Sequence, residues 1–415
     1  MSKRYVIAGF GAAGWSAAQA IRSKYEQGII TVISDEKSPP YARMLLSCWL
    51  KGKIEEEAIH LFPNDVFKSL NTEALYEKRA EKIDTDRQTV ILNNGESIPY
   101  DELLIASGAS PVRPEIKGID LPGVLNLWTR DDTLRIREGI RENGEAVVIG
   151  AGFIGMQAVD ALLKLNVRCS LIEALLHVLP RILDPEGAGL IESRLKREGV
   201  DIFTDTTVKE IGAEGKRKEI VLDSGRTLQA DLVITAAGVR PKLDLTKTAI
   251  LKTDTGILVD ECMRTSSSHV YAAGDVAESL DFSTGGRGVH AIWPTAVDQG
   301  WVAGMNMAGA SVDYPGSLNM NTLDVLDIPL ASVGLFQGDG LEIGKHTESS
   351  RGIYRKIAFR DGRLTGAVLL GDISDIGIIR SMIHRRVDIT SVKSAVVFSP
   401  VKLGRTWPVY GGIKA

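Results

Sequence analysis

The chain contains the glycine pattern Gly-x-Gly-x-x-Gly twice, at Gly9–Gly14 and again at Gly150–Gly155. Each copy follows a short apolar segment, runs into a helical segment, and is followed by a second apolar segment that ends in an acidic residue. This order is typical of a dinucleotide-binding βαβ unit. One copy alone is weak evidence because glycine turns are common, but two copies in full context predict an α/β chain with two Rossmann-like dinucleotide-binding domains.

In the first copy, residues 5–8 are predicted to form a buried strand, residues 15–22 a helix and residues 29–33 a second strand. The three glycines allow a tight turn, a close approach of the backbone to a pyrophosphate, and close packing of helix and strand. The N–H groups at the helix start bind the phosphates. Glu36, with Asp35 as second choice, is predicted to accept hydrogen bonds from ribose hydroxyls. The residues predicted to contact this nucleotide are Gly9, Gly11, Ala13, Gly14 and Glu36.

In the second copy, residues 146–149 are predicted as a strand, the helix after the glycines extends to Leu163, and residues 167–172 form the next strand. Glu173 stands at the end of that strand, where a carboxylate repels a 2′-phosphate. No arginine follows it directly, and Arg181 lies well past the strand end. The pattern therefore favours NADH over NADPH. The residues predicted to contact this nucleotide are Gly150, Gly152, Phe153, Ile154, Gly155 and Glu173.

Composition excludes several other classes of protein. Charged residues make up 25% of the chain, the formal net charge is −4, and no basic tract predicts a nucleic-acid partner. No apolar stretch reaches the roughly 18 residues that cross a bilayer. The basic N-terminus is followed by an apolar run broken by glycines, which is not typical of a signal peptide. We expect no membrane span and a cytoplasmic location.

The cysteines and histidines do not form a metal-binding pattern. The three cysteines are Cys48, Cys169 and Cys262, and none belongs to a Cys-x-x-Cys pair. The six histidines are scattered without ligand spacing. We therefore predict no disulfide framework, no zinc site, no iron–sulfur cluster and no other metal.

Four further segments resemble motifs of one known family: Tyr41–Ser47, which reads Y-x-R-x-x-L-S, Leu103–Pro111, Asp231–Pro241 and Val270–Glu278. With the two fingerprints, they make nearly the whole chain similar to the FAD/NAD(P)-dependent pyridine nucleotide-disulfide oxidoreductases. The chain looks closest to the branch that holds rubredoxin and ferredoxin reductases, the FAD-binding part of nitrite reductases, and NADH oxidases. The resemblance implies FAD and NAD(H) as cofactors.

The resemblance also assigns roles to residues on the FAD side. Asp275 matches the aspartate that binds the ribityl chain, Arg43 would lie near the pyrophosphate, and Ala80 matches a backbone contact to adenine. Trp293 resembles a residue that lines the pyrimidine side of the flavin. The further FAD contacts implied in this way are Arg43, Ala80, Ser107, Gly108, Gly274, Asp275 and Trp293. Structural alternatives remain open: Asp275 as a helix cap, Arg43 on the surface and Trp293 in the core.

On the NAD side, the resemblance adds Gln157 and Gly238. Many relatives have a glutamate near the nicotinamide at the position of Gln157, and a neutral amide can still hydrogen-bond the carboxamide. The alternative is that Gln157 lies on a solvated helix face. Among the histidines, His290 is the one expected near the flavin.

The resemblance implies a glutathione-reductase-type fold with a small α+β domain at the C-terminus. The FAD-binding domain is expected to be discontinuous, with residues 1–112 and 246–316. The NAD-binding domain would comprise residues 113–245, and residues 317–415 would form the C-terminal domain. In that last region, residues 354–359 and 364–370 flank an Asp-Gly turn and predict a hairpin. In relatives this domain covers the flavin and often helps to form a homodimer.

Cys48 is the candidate catalytic residue, because the resemblance places it facing the flavin ring, where NADH oxidases and peroxidases carry a redox cysteine. Three features oppose that role: Ala12 replaces a histidine of the first glycine loop in those enzymes, Trp49 replaces a glycine, and no second cysteine is near in sequence. Lys51 and Lys53 could still stabilise a thiolate. The alternative is a small side chain packed beside the flavin.

The resulting functional hypothesis is an NADH:acceptor oxidoreductase. Hydride passes from NADH to FAD, and electrons then pass to a small iron–sulfur or rubredoxin-type protein, or in the reverse direction from ferredoxin to NAD. Three alternatives stay open: an NADH oxidase, peroxidase or CoA-disulfide-type reductase that depends on Cys48, the flavin subunit of a larger redox complex, and a non-enzymatic redox-sensing flavoprotein.

Overall fold

The computed structural model describes residues 2–60, 70–215 and 217–398. The first elements, in chain order, are β1 (Arg4–Ala8), α1 (Ala12–Lys24), β2 (Ile29–Ile33), α2 (Leu46–Leu50), β3 (Thr72–Leu75), β4 (Ala80–Asp84), β5 (Thr89–Leu92), β6 (Ser97–Pro99), β7 (Glu102–Ile105) and β8 (Ala109–Pro111). The next are β9 (Val124–Asn126), α3 (Arg130–Gly139), β10 (Glu145–Ile149), α4 (Phe153–Lys164), β11 (Arg168–Ile172), α5 (Pro185–Arg197), β12 (Asp201–Phe203), β13 (Val208–Glu214), β14 (Arg217–Leu222), β15 (Thr227–Ala230) and β16 (Leu232–Thr235).

The remaining elements are β17 (Val239–Pro241), α6 (Asp244–Ala249), β18 (Ile257–Leu258), β19 (Val270–Ala272), β20 (Ala277–Leu280), β21 (Arg287–Gly288), α7 (Trp293–Met307), β22 (Met320–Val325), β23 (Ile328–Gly334), β24 (Glu342–Glu348), β25 (Ile353–Arg360), β26 (Arg363–Leu370), α8 (Ile376–His384) and α9 (Lys393–Phe398). Short 3₁₀ helices lie at Arg43–Leu45, Glu56–Ile59, Ser349–Arg351 and Thr390–Val392.

The described residues form two compact units. Unit 1 contains the described part of Met1–Val112 together with Trp128–Thr133 and Gly238–Ser317. Unit 2 contains Arg113–Leu127, Leu134–Ala237 without residue 216, and the described part of Leu318–Ala415. Unit 2 thus combines the second glycine fingerprint with the C-terminal sheet. The predicted division into three domains, with its own boundaries, stays a prediction.

Unit 1 is built on a parallel sheet with the strand order β19-β7-β1-β2-β3. The strands β19, β7, β1 and β2 are short and mostly buried, as expected for parallel strands that are covered on both faces, whereas the edge strand β3 is partly exposed. The helices α1 and α7 pack very closely, because an added Cβ at Gly300 would lie 2.2 Å from the carbonyl oxygen of Ala13 and one at Gly304 would lie 2.5 Å from that of Ala17. The Oγ of Ser16 also donates to the Val297 carbonyl at 2.7 Å. Small residues on both helices allow this approach.

Unit 2 contains a second parallel sheet, with the order β12-β11-β10-β16-β9. Its C-terminal part is a five-stranded antiparallel sheet, β22-β23-β26-β25-β24, against which α8 and α9 pack. The predicted hairpin is present as β25 and β26, and Asp361 and Gly362 at its turn have φ of +50° and +72°. Two central residues with positive φ match the twist of the flanking strands. The predicted fold class is confirmed.

Within unit 2, Asp184 joins α5 to the antiparallel sheet. Its carboxylate caps α5 by accepting from the Gly187 N–H at 3.1 Å, and it accepts from the Tyr354 hydroxyl at 2.8 Å and from Lys345 Nζ at 2.5 Å. Burial alone raises the pKa of Asp184, but the hydrogen bonds from Lys345, Tyr354 and Gly187 outweigh burial and lower the pKa to about 2. The ionised carboxylate therefore stabilises the packing of α5 on the sheet.

We expect Asp184→Asn to lower the free energy of unfolding of unit 2 by about 1 kcal/mol at pH 7. Linkage to the shifted pKa sets an upper limit of roughly 2.5 kcal/mol, and the exposure of Lys345 reduces it. Because the folded pKa lies below the unfolded value, this stabilisation is present above about pH 4 and is lost as the pH falls toward 2. Urea unfolding of both proteins should show a difference that shrinks between pH 5 and pH 3.

The matched control for this prediction is Asp327→Asn. Asp327 pairs with Lys164 at 3.7 Å, but its side chain is 76% exposed, so we expect no measurable change. A difference between Asp184→Asn and the unmodified protein that stays constant from pH 7 to pH 3 would contradict the assignment of the effect to the ionised carboxylate.

Candidate cofactor-binding sites

In each fingerprint, the first and third glycines are required by the packing of the chain itself. Gly9 and Gly150 have φ of +116° and +102°, a region that favours glycine. An added Cβ at Gly14 would lie 2.1 Å from the carbonyl oxygen of Gly9, and one at Gly155 would lie 1.8 Å from that of Gly150. These four glycines bring each helix close to the turn that precedes it.

The middle glycines are different. Gly11 has φ −86° and ψ −158°, and Gly152 has φ −77° and ψ −168°, which any residue can adopt. Among the described residues, no atom lies within 4 Å of an added Cβ at either position. The packing of the chain therefore does not require glycine here, whereas a ligand that approaches the backbone closely does.

Both middle glycines directly precede a helix, and no side chain of the described residues caps the N–H groups of its first turn. Neither α1 nor α4 has a side-chain cap, and neither has an acidic residue in its first turn. In contrast, α5 is capped by Asp184. The first N–H groups of a helix have no intrahelical acceptor, and together with the helix dipole they attract anions. The two sites therefore fit two pyrophosphates.

Glu36 lies in a hydrogen-bonded cluster beside the first fingerprint. Its Oε1 accepts from Arg43 Nη2 and its Oε2 accepts from the Tyr41 hydroxyl, both at 2.6 Å. The Arg130 backbone N–H donates to the same hydroxyl at 3.0 Å. Burial raises the pKa of Tyr41, so the hydroxyl stays protonated and continues to donate to Glu36. Each carboxylate oxygen retains a further lone pair that can accept from a ribose hydroxyl.

Asp275 lies between β19 and β20 and is half-buried. Burial raises the pKa of Asp275, and the positive charge of Arg43 opposes this increase. A carboxylate that loses part of its hydration requires hydrogen-bond donors. The hydroxyls of a ribityl chain are such donors, so the site fits FAD.

The structure brings the motif that contains Asp275 next to the first fingerprint. Gly274 has φ +81°, and an added Cβ there would lie 3.0 Å from the Cβ of Ala13. Its N–H donates to the buried Gln299 Oε1 at 2.8 Å. No sequence motif predicts that Gln299 supports this loop. Trp293 is the first residue of α7 and is half-buried.

Three more predicted FAD contacts lie elsewhere in unit 1. Ser107 donates its hydroxyl to the Lys242 carbonyl at 3.2 Å. Gly108 follows it with φ +69°, and its carbonyl accepts from the Lys242 N–H at 2.9 Å. Ala80 begins β4 opposite Leu92, beside an irregularity in the register, and is half-buried.

Glu173 is buried at the end of β11 and supports the second glycine loop. Its Oε2 accepts from the Ala151 N–H at 2.7 Å and its Oε1 accepts from the Leu175 N–H at 3.0 Å. Glu36, by contrast, is held by side chains. The equivalent acids of the two fingerprints thus have different partners, and the predicted ribose contact of Glu173 stays a prediction.

The other predicted NAD contacts have mixed environments. Phe153 and Ile154 form the first turn of α4 and are half-buried, as is Gln157 one turn later. Gly238 is exposed with φ +99°, and its carbonyl accepts from the Val112 N–H at 2.9 Å. Gly238 and Val112 both belong to unit 1.

Cys48 lies in the short helix α2 and is partly buried between the buried residues Ser47 and Trp49. Cys48, Cys169 and Cys262 are all free thiols. Burial lowers the pKa of His290, which favours its neutral form, and its Nδ1 has no hydrogen-bond partner among the described residues. Its Nε2 lies 3.8 Å from Asp281 Oδ2.

Within the described part of the chain, no group of three or more histidine, cysteine or acidic side chains could hold a metal ion. A search of the same residues finds no helix long and apolar enough to cross a membrane.

Two family models match the chain. The pyridine nucleotide-disulphide oxidoreductase model matches residues 3–300, and the rubredoxin NAD+ reductase C-terminal domain model matches residues 320–387. The chain is 36% identical to the NADH-dependent phenylglyoxylate dehydrogenase subunit epsilon of Aromatoleum evansii, covering 97% of this chain and 96% of that protein. It is 30% identical to the NADH-rubredoxin oxidoreductase of Clostridium acetobutylicum, covering 90% and 92%.

Some relatives are much longer, and the chain spans only 49% of the nitrite reductase [NAD(P)H] of Bacillus subtilis, to which it is 30% identical over 96% of its own length. Among solved structures, the reductase in a covalent putidaredoxin reductase–putidaredoxin complex superposes with a TM-score of 0.90 at 25% identity, covering 97% of this chain and 98% of that one. The geometry of the sites and these comparisons agree with the resemblance found in the sequence. The chain is a flavoprotein oxidoreductase that uses FAD and NAD(H), and it belongs to the pyridine nucleotide-disulphide oxidoreductase family.

Proposed function

We propose that this protein transfers electrons between NADH and a small electron-carrier protein of the rubredoxin or iron–sulfur type, through FAD, in either direction. The observation that carries the proposal is the pair of glycines, Gly11 and Gly152, that face open space before two uncapped helices. Two such sites in one chain fit two dinucleotides. The choice of acceptor is supported by the names of the relatives, one an NADH-rubredoxin oxidoreductase and another a putidaredoxin reductase.

The chemistry that FAD would supply at this site is the uptake of hydride from NADH and the transfer of electrons to the acceptor. The residues of the chain position the cofactors and need not move a proton in the hydride step. The start of α1 holds one pyrophosphate, with Arg43 beside it, and Asp275 accepts from hydroxyls. The proposed FAD contacts are Gly9, Gly11, Ala13, Gly14, Glu36, Arg43, Ala80, Ser107, Gly108, Gly274, Asp275 and Trp293.

The start of α4 holds the pyrophosphate of NADH in the same way. Glu173 favours NADH over NADPH because a buried carboxylate repels a 2′-phosphate. The proposed NAD contacts are Gly150, Gly152, Phe153, Ile154, Gly155, Gln157, Glu173 and Gly238.

Alanine substitutions at the middle glycines test this assignment. We expect Gly11→Ala to raise the Kd for FAD by about 10-fold or more, since a methyl group there occupies the space of the pyrophosphate. We expect Gly152→Ala to retain FAD but to raise the KM for NADH by about 10-fold or more. The thermal unfolding of each FAD-free variant should match that of the unmodified protein, because each φ is ordinary and each Cβ has no neighbour.

Gly14→Ala is the contrasting control. Its Cβ meets the Gly9 carbonyl at 2.1 Å, so we expect a loss of stability before any cofactor is added. FAD binding by Gly11→Ala that equals that of the unmodified protein would contradict the proposed site.

We propose that Cys48 packs beside the flavin rather than reacting. An anaerobic reductive titration should then consume about two electrons per flavin. A Cys48 that cycles through a sulfenic acid or a mixed disulfide would consume roughly two more. Cys48→Ser should keep the two-electron titration and the rate of carrier reduction, as should the matched control Cys262→Ser. Loss of carrier reduction in Cys48→Ser alone would favour the thiol-dependent oxidase or disulfide reductase.

The acceptor is tested with the purified protein. With NADH as donor, we expect the protein to reduce rubredoxin or a [2Fe–2S] ferredoxin at least about 10-fold faster than it reduces oxygen. The reduction is measured by the change in absorbance of the carrier. Failure to reduce any such carrier, while NADH still reduces the bound FAD, would contradict the proposed acceptor class but not the proposed cofactor sites.

A second candidate is the flavin subunit of a larger redox complex. It is favoured by the identity of 36% over almost the full length of both chains to a protein named as a subunit of a dehydrogenase. This function predicts that the native protein has the mass of a hetero-oligomer, and that the isolated chain reduces small carriers slowly.

Finer assignments belong to the same proposal. They are an FAD-binding domain of residues 1–112 and 246–316, an NAD-binding domain of residues 113–245, and a C-terminal domain of residues 317–415. We further propose a homodimer formed through the C-terminal domain and a cytoplasmic location.

A further inference from the structure

A short segment of the chain belongs to a different unit from its neighbours in sequence. Trp128–Thr133 is part of unit 1, although Arg113–Leu127 before it and Leu134–Ala237 after it belong to unit 2. The segment comprises the residues just before α3 and the first turn of that helix. Its side chains and backbone make specific contacts inside unit 1.

These contacts surround Arg43. The Trp128 indole lies against the Arg43 guanidinium, with 5.0 Å between Cζ and the ring centroid. Two polar contacts hold the segment in place: the Arg130 N–H donates to the Tyr41 hydroxyl at 3.0 Å, and the Arg130 Nε donates to Glu56 Oε1 at 2.6 Å. Trp128 is half-buried.

Arg43 has unused hydrogen-bonding capacity. Among the described residues, its one hydrogen bond is from Nη2 to Glu36 Oε1, whereas a guanidinium has five N–H donors. Its side chain is 36% exposed and rotates about several bonds, so a single ion pair would leave it mobile. The Tyr41 ring lies 6.0 Å from its Cζ, farther than the ring of Trp128.

We propose that Trp128 is a positioning residue for FAD, because its indole face holds the Arg43 guanidinium so that the unused N–H donors face the FAD pyrophosphate. The inference rests on the proposed binding of FAD at the first fingerprint. Indole is the side chain that attracts a cation over its face most strongly, and a planar guanidinium stacks on it where an ammonium does not. Arg43 and Trp128 therefore act as a pair.

The test is a double-mutant cycle in the full-length protein. FAD is removed, and its Kd is measured by fluorescence titration for the unmodified protein, Trp128→Leu, Trp128→Phe, Arg43→Ala and the Trp128→Leu, Arg43→Ala double variant. We expect Trp128→Leu to raise the Kd for FAD roughly 3- to 30-fold, the range of a cation–π contact. Trp128→Phe should recover most of the loss.

The double variant separates positioning from a merely structural role. If Trp128 acts through Arg43, Trp128→Leu should change the Kd by less than about 2-fold in the Arg43→Ala background. The matched control is Trp301→Leu on α7, a tryptophan that is 42% exposed, which should leave the Kd unchanged. Thermal unfolding of the FAD-free proteins checks that each variant is folded.

Two outcomes overturn the inference while the proposed function stands. They are an unchanged Kd for Trp128→Leu, and an equal loss with and without the Arg43 guanidinium. Failure of the unmodified protein to bind FAD removes the proposed function itself, and the inference with it.

Discussion

The structure depends on backbone N–H groups at the starts of two helices that have no side-chain partner. A side-chain oxygen can accept from such groups, as that of Asp184 does at the start of α5. At the starts of α1 and α4 the chain has glycines, Gly11 and Gly152, at which an added Cβ would enter open space. The tight turns at Gly9 and Gly150 and the close packing of Gly14 and Gly155 fix where each of these helices begins.

The acidic residues that follow the two glycine fingerprints, Glu36 and Glu173, have different hydrogen-bond donors. Glu173 is buried and accepts from two backbone N–H groups, that of Ala151 in the glycine loop and that of Leu175 two residues further on, so its geometry is set by the main chain. Glu36 receives side-chain donors, from Tyr41 and Arg43, and these donors are held in turn by Trp128 and Arg130. The direct donors to Glu36 lie near it in sequence, but the contacts that hold those donors in place come from residues far along the chain.

This difference explains what could be predicted from the sequence. The strands β1 and β10, the helices after them and the hairpin at Asp361–Gly362 follow from local apolar runs and turn residues, and the structure contains them. The roles of Trp128 and Gln299 depend on contacts between residues far apart in the chain, and no local pattern marks them. The second parallel sheet and the C-terminal sheet belong to one unit, which also depends on packing between residues far apart in sequence. The contacts of Asp184 with Tyr354 and Lys345 are an example.

The charges around the first fingerprint argue that orientation matters more there than net charge. Arg43 is paired with Glu36 and also interacts with the charge of Asp275, so one cation already faces two carboxylates. A pyrophosphate adds further negative charge to this environment. Coulomb attraction to Arg43 alone cannot balance these groups, and binding must rely on directed N–H donors from the helix start and the guanidinium. A guanidinium held over the face of an aromatic ring supplies such direction, whereas a freely rotating one does not.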